Sequence, residues 1–246
     1  MHKLVINSSY TNFKDFTLNI QSFFASSTES IHKARNELKV ISHNNVDTVV
    51  KSFKIPNIIN KIAYTFFRAS KAKKSYEYSL KIGKFTPKPI SYIEFYNNNL
   101  LEESYFISER FDYDFTIREP LLDDNFEDKE EVLRAFARFS LELHNNGIFH
   151  NDYSPGNILI KKENDGFTFK IVDINRMKFF NLSETDRAKN FSKLWARDDE
   201  LKIIADEYTK HYESNISFSA LICNYSNNNK RIKNFKKRLK GMEVND

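Results

Sequence analysis

The sequence predicts an α+β fold in two lobes: a β-rich N-terminal part with one helix, then a helical C-terminal part interrupted by one hairpin. Three observations predict it. Apolar and β-branched strand-like runs gather in the first 110 residues, the clearest helical periodicity lies beyond them, and the elements do not alternate as a repeating βαβ unit would. The boundary falls between residues 1–110 and 111–246, and 246 residues suffice for one large domain or two small lobes.

Residues up to about Ile41 mix short apolar runs with polar punctuation, which predicts strands and a turn. Val46 to Ile55 is a β-branched run ended by Pro56, and reads as a strand. From Ile58 to about Ile82 Pro and Gly disappear and the spacing predicts a helix, with Gly83 as its stop. Pro87 and Pro89 mark a loop. Ile90–Phe95 and Ser104–Phe111 read as two strands around the polar turn Asn97-Asn98-Asn99. Val132, Leu133, Phe136, Phe139 and Leu143 recur with helical spacing, so Asp128 to Asn146 is an amphipathic helix closed by Asn146-Gly147. A strand Asn157–Lys161, a turn at Asn164-Asp165-Gly166 and a strand Phe167–Ile174 follow, and the chain from about Glu184 is mostly helical.

Composition bounds the function. Hydrophobic residues at 40% and aromatics at 15% support a packed core rather than a disordered chain. A single cysteine, Cys223, leaves no intramolecular disulfide and fits a reducing compartment. No apolar run approaches the roughly 18 residues of a membrane helix, and the apolar stretch at Met1–Ser9 is too short for a signal peptide. A cytosolic protein is expected. The net charge of +5 suits anionic partners such as nucleotides, nucleic acid or an acidic membrane surface. No recognisable nucleic-acid motif accompanies it.

The chemistry concentrates in Ile148-Phe149-His150-Asn151-Asp152-Tyr153-Ser154-Pro155-Gly156-Asn157-Ile158-Leu159-Ile160. Asn157 lies five residues beyond Asp152, a hairpin follows, and Lys170-Ile171-Val172-Asp173 closes it. The order has the spacing of a phosphoryl-transfer loop followed by a metal-binding aspartate. Such a transfer needs a carboxylate to orient the attacking hydroxyl and accept its proton, the place of Asp152. It needs hard oxygen ligands for Mg²⁺, which Asn157 and Asp173 offer. His150 reads as support for the loop. A polar turn between helix and hairpin would also use Asn, Asp, Ser, Pro and Gly, but not this ordered set.

On these residues the chain resembles the lipopolysaccharide core kinases, the Kdo/heptose kinases of Gram-negative bacteria, within the protein-kinase-like superfamily. The resemblance runs from the Val46 strand to about Phe179. Besides the catalytic loop it rests on Val49-Val50-Lys51-Ser52-Phe53-Lys54, the basic helix entry before Glu77, Thr86-Pro87-Lys88-Pro89-Ile90, and Asp173-Ile174-Asn175-Arg176. It implies a two-lobed protein-kinase-like fold, ATP and Mg²⁺ as cofactors, and a sugar hydroxyl of the lipopolysaccharide core precursor, on Kdo, as acceptor. It also implies a nucleotide-gripping lysine, and Lys51 takes that place because Val49 shares its strand face as an adenine-pocket residue would. Lys54, whose partner would be Ser52, is the rival. Glu77 is the candidate helix carboxylate for that lysine; otherwise it is an i,i+4 partner of Lys73 or Lys81.

Departures narrow the resemblance. No glycine precedes Gly83, so a Gly-rich phosphate loop is absent. Ser26-Ser27-Thr28-Glu29-Ser30 with His32, Lys33 and Arg35 is the candidate replacement. Asn151 and Ser154 stand where many protein kinases carry arginine and lysine, Asn175 ends the Asp173 triplet, and no Ala-Pro-Glu follows. These changes point away from a phosphoregulated protein kinase. A small-molecule kinase similar to aminoglycoside or choline kinases, and a pseudokinase binding module, are the alternatives.

Seven basic residues lie between Lys230 and Lys240, with Ile232, Phe235 and Leu239 at helical spacing. One reading is a peripheral contact with the anionic inner-membrane surface on its cytoplasmic face. The other, which the spacing favours slightly, is a last helix that docks its apolar stripe and keeps its charges in water.

Overall fold

The computed structural model describes residues 1–28, 30–33, 36–53 and 57–243, with residues 31–33 by their backbone. Two compact units are present: residues 1–112 with 173–175, and residues 113–172 with 176–246.

The first unit is built on a six-stranded antiparallel sheet of order β1-β5-β6-β4-β3-β2. Its strands are β1 (His2–Ile6), β2 (Ser30–Lys33), β3 (Asn36–His43), β4 (Val46–Phe53), β5 (Pro89–Asn97) and β6 (Leu100–Glu109). Asn98 and Asn99 both adopt positive φ, 47° and 59°, the geometry of a tight hairpin turn that asparagine tolerates. Side chains alternate along β4 and so reach two different cores. Val50 joins Phe13, Phe16, Ile20, Phe24 and Ile107 on one face, whereas Phe53 joins Ala72, Tyr76 and Tyr92 on the other.

The segment after β1 departs from the predicted strands and turn. Ser8–Phe13 is a 3-10 turn, followed by helices α1 (Lys14–Leu18) and α2 (Ile20–Ser26). The reason is visible in the burial: Phe13, Phe16, Ile20 and Phe24 repeat at three or four residues and cover one face of the sheet. The single predicted helix 58–82 is two, α3 (Ile58–Phe66) and α4 (Lys71–Ile82). Ser70 starts a new helix by accepting a 3.0 Å hydrogen bond from the Lys73 amide. Gly83, at φ 53°, ends α4.

The second unit contains short β7 (Phe115–Thr116) and α5 (Arg118–Leu122), then the 17-residue helix α6 (Lys129–Asn145). Strand β8 (Ile148–Phe149) pairs with β11 (Lys178–Phe179), and β9 (Ile158–Glu163) forms a hairpin with β10 (Gly166–Ile171). Helices α7 (Glu184–Phe191), α8 (Asp198–Thr209) and α9 (Phe218–Arg238) complete it. Gly147, at φ 69°, turns the chain from α6 into β8, and a Cβ there would meet the Phe180 carbonyl at 2.9 Å. Phe136, Tyr153, Phe191 and Tyr208 are fully buried and mutually packed.

Helix α9 reverses the favoured expectation for the tail. Its stripe is turned to solvent, with Ile232 56%, Phe235 62% and Leu239 70% exposed. The docked side carries the buried Phe218 and Ile222 in the first turns, and further along Lys230 donates to the Ala196 carbonyl at 2.7 Å and Asn229 bonds Ser192 and Lys193. The helix thus buries the apolar residues of its first turns and continues the same side with hydrogen bonds to the Ser192 and Ala196 carbonyls, which leaves the later stripe in solvent.

Candidate active site

In the second unit, β8 delivers the chain into residues 150–157, where backbone and side chains lock one another. His150 is buried; its Nε2 donates to the Val172 carbonyl at 2.9 Å, and its Nδ1 accepts from the Asp152 amide at 3.0 Å. Those two bonds define the neutral Nε2–H tautomer. The Asn157 amide nitrogen donates to the Asp152 carbonyl at 2.9 Å and to Ser154 Oγ at 3.1 Å, and its oxygen Oδ1 takes no part in these bonds. Among the described residues no hydrogen bond reaches the Asp152 carboxylate, so the loop holds the aspartate by its backbone. Asn151 donates to the Arg176 carbonyl. Gly156 leaves room for Arg118, whose guanidinium would stand 2.8 Å from a Cβ at that position.

Two residues outside the motif carry this loop. Asn190, on α7, donates to the His150 carbonyl at 2.8 Å and receives His144 Nε2 at 3.1 Å. His144 Nδ1 meets the Tyr208 hydroxyl at 2.9 Å, and Arg187 donates to the same hydroxyl. Burial pushes His144 down to about 3, with Arg187 adding to the fall and the Asn190 bond opposing it. The sequence singles out neither His144 nor Asn190.

This network makes stability acid-sensitive. Unfolded His144 titrates near 6.5 and folded His144 near 3, so between those values the unfolded chain holds the extra proton. Stability contributed by neutral His144 is complete above pH 6.5 and falls by about 1.4 kcal/mol per pH unit below it. Denaturant midpoints should therefore drop between pH 7 and 5, and His144→Gln should flatten that slope. Equal slopes for parent and variant would assign the acid loss elsewhere.

In the first unit, Lys51 extends from the central strand β4 and pairs with Asp173, Nζ to Oδ1 2.8 Å, with the lysine side chain 13% exposed. Asn175 Nδ2 donates to the same oxygen at 2.8 Å. Asp173 is held at φ 56°, a left-handed conformation that aspartate tolerates better than most residues and that recurs at functional positions. Asn175, which the sequence offers both within the 173–176 motif and as a departure from the usual triplet, thus orients the aspartate. The structure does not bring Glu77 to Lys51. Its carboxylate lies 3.7 Å from Lys73, the i,i+4 alternative, and its charge helps hold the Tyr92 phenol up at about 12, after burial and Glu94. Lys54, Glu29 and Arg35, and the side chains of His32 and Lys33, lie outside the described residues.

A third group belongs to the second unit. Trp195 sits at φ 61°, unusual for so bulky a residue, with Lys233 and Lys237 over its ring at 5.1 and 5.6 Å. Burial and the charges of Lys193 and Lys237 lower the Lys233 pKa, and the Asp152 carboxylate opposes that fall.

Comparison with known proteins follows this geometry. The fold is that of a solved structure described as "WaaP in complex with acyl carrier protein", with a TM-score of 0.59 at 13% identity, 94% of this chain and 99% of that one covered. The family model for the lipopolysaccharide kinase (Kdo/WaaP) family matches residues 83–211, just over half of the chain. The protein belongs to that family. The matched span includes residues 150–173 and leaves Lys51, Glu77 and α9 outside it. No curated protein matches the chain.

Proposed function

We propose that this protein transfers the γ-phosphoryl group of ATP to a sugar hydroxyl of the lipopolysaccharide inner core, with Kdo as the acceptor sugar. The observation that carries the reading is the 150–157 loop, in which His150 and Asn157 hold the backbone of Asp152 and leave its carboxylate for a substrate. Asp152 orients the acceptor hydroxyl and takes its proton as the new oxygen–phosphorus bond forms and ADP departs. Lys51 contacts the ATP phosphates, with Glu77 as a secondary charge on α4. Asn157 and Asp173 would hold Mg²⁺: their amide and carboxylate oxygens are hard donors, and the loop bonds of Asn157 use its nitrogen and not its Oδ1. Bound there, the ion would neutralise phosphate charge. Catalysis rests on positioning and electrostatics.

Kdo is a sugar acid, and the lysines around Trp195 favour an anionic acceptor. Lys233 carries a charge that burial and its neighbours oppose, so an incoming carboxylate relieves repulsion. The described residues contain no helix long and apolar enough to cross a membrane. A lipid-linked acceptor then requires the enzyme to meet the membrane surface from the cytoplasm. The outward stripe of α9, flanked by Arg231, Lys236 and Arg238, fits an anionic surface.

Incubating the purified protein with ATP and lipid A–core precursor should add the mass of one phosphate to the Kdo-containing fragment. Transfer to a soluble aminoglycoside or choline but not to the precursor would establish the small-molecule alternative. ATP binding without transfer to any of these would make the chain a pseudokinase.

A further inference from the structure

Helix α3 is docked with its amphipathic faces reversed. Residues 58, 62, 66, 59, 63 and 67 fill one half of its helical wheel, and all are apolar. That half is the solvent side: Ile58 is 61%, Ile59 75%, Ile62 43%, Phe66 66% and Phe67 81% exposed, and no residue of the helix is buried. The polar side makes the attachments. Thr65 accepts the Leu101 amide at 2.9 Å, and Lys61 pairs with Glu102 at 3.7 Å on β6. Asn57 caps the helix by accepting from the Asn60 amide at 3.0 Å. Five large side chains therefore form a continuous apolar face on an ordered, capped element, which single scattered exposed residues do not.

The charge around this face selects its occupant. From Asn57 to Lys74 the chain carries Lys61, Arg68, Lys71, Lys73 and Lys74 and no carboxylate. Lys61 is paired with Glu102 and Lys73 with Glu77, and the border keeps a net positive charge. A wide apolar arc with such a border is the composition of helices that lie in the plane of a bilayer, with lysine and arginine at the headgroups. We infer that α3 inserts its Ile58–Phe67 face into a lipid bilayer bearing anionic headgroups. The inference deepens the proposed function, on whose lipid-linked acceptor it rests for the choice of surface. Insertion is led by apolar burial, so it resists salt, unlike attraction through the basic residues of α9.

The test is co-sedimentation of the full chain with phosphatidylethanolamine–phosphatidylglycerol vesicles, at low salt and at about 1 M, where the Debye length is only about 3 Å. The triple variant Ile59→Gln, Phe66→Gln, Phe67→Gln keeps helix-forming residues and alters no core side chain. It should lower vesicle partition on the order of a hundredfold at both salts. Arg231→Gln, Lys236→Gln, Arg238→Gln should weaken binding at low salt only. The α3 variant should phosphorylate a delipidated, soluble core acceptor at the parent rate and a vesicle-embedded acceptor at least tenfold more slowly. Unchanged partition of the α3 variant, or complete loss of parent binding at high salt, overturns the inference. So does lipid-free self-association, or capture by acyl carrier protein, that the α3 substitutions abolish while vesicle binding persists. A parent that phosphorylates neither acceptor overturns the proposed function instead, because vesicle partition is read independently.

Discussion

Asp152→Ala, Asn157→Ala and Asp173→Ala should each lower phosphotransfer by roughly 10²- to 10⁴-fold, the range expected when a general base or its equivalent is removed. For Asp152 the effect is chemical, since its backbone bonds to His150 and Asn157 survive the change. Asp152→Asn should be nearly as damaging, because an amide keeps the shape and loses the proton acceptor. Asn157→Ala acts twice, deleting Oδ1 and the bonds that tie the loop to Asp152 and Ser154. Its thermal midpoint should fall, whereas that of Asp152→Ala should not. At position 173 the backbone is left-handed, which disfavours alanine, so Asp173→Asn is the cleaner probe of lost charge. Near-full turnover of either Asp173 variant at saturating Mg²⁺-ATP would remove this residue from the site.

Lys51→Met should raise KM for ATP and lower kcat/KM on the order of 10²- to 10³-fold, as loss of a positioned charge does. Its position supports this. Lys51 lies on the central β4, hydrogen-bonded into the sheet between Leu38 and Phe106, and its ammonium is committed to Asp173. Met preserves the aliphatic stem, so the sheet should remain intact and the loss should be confined to charge. The variant also strips a cation from Asp173, and Mg²⁺ dependence should shift together with KM for ATP. Lys54→Met should be mild. Equal losses at the two positions, or a larger loss at Lys54, would transfer the phosphate contact to Lys54.

Local pattern carried much of this molecule into view. The spacing of His150, Asp152, Asn157 and Asp173 carried the resemblance to kinases, the motifs around Lys51 and at residues 86–90 and 173–176 carried it to the family, and the α6 periodicity and the Asn-rich turn placed a helix and a hairpin, because each depends on residues near one another in the chain. Glu77 shows the limit of that reasoning: helix spacing put it on α4, but whether it faces Lys51 or Lys73 depends on how α4 packs. Asn190 and His144 could not be found from spacing, since their role is to join α6, α7 and the loop across buried hydrogen bonds.

What the sequence determined by itself was the mixed helix-and-sheet class and the kinase family, both written in short-range order. Tertiary structure alone decided that residues 8–26 coil into helices, because an uncovered sheet face took up Phe13, Phe16, Ile20 and Phe24. It alone decided the orientation of α3 and α9. An amphipathic sequence specifies that two faces differ, not which of them meets the protein. In α3 polar anchors to β6 turned the apolar face outward, and in α9 the buried Phe218 and Ile222 together with the Lys230 anchor fixed the side that docks.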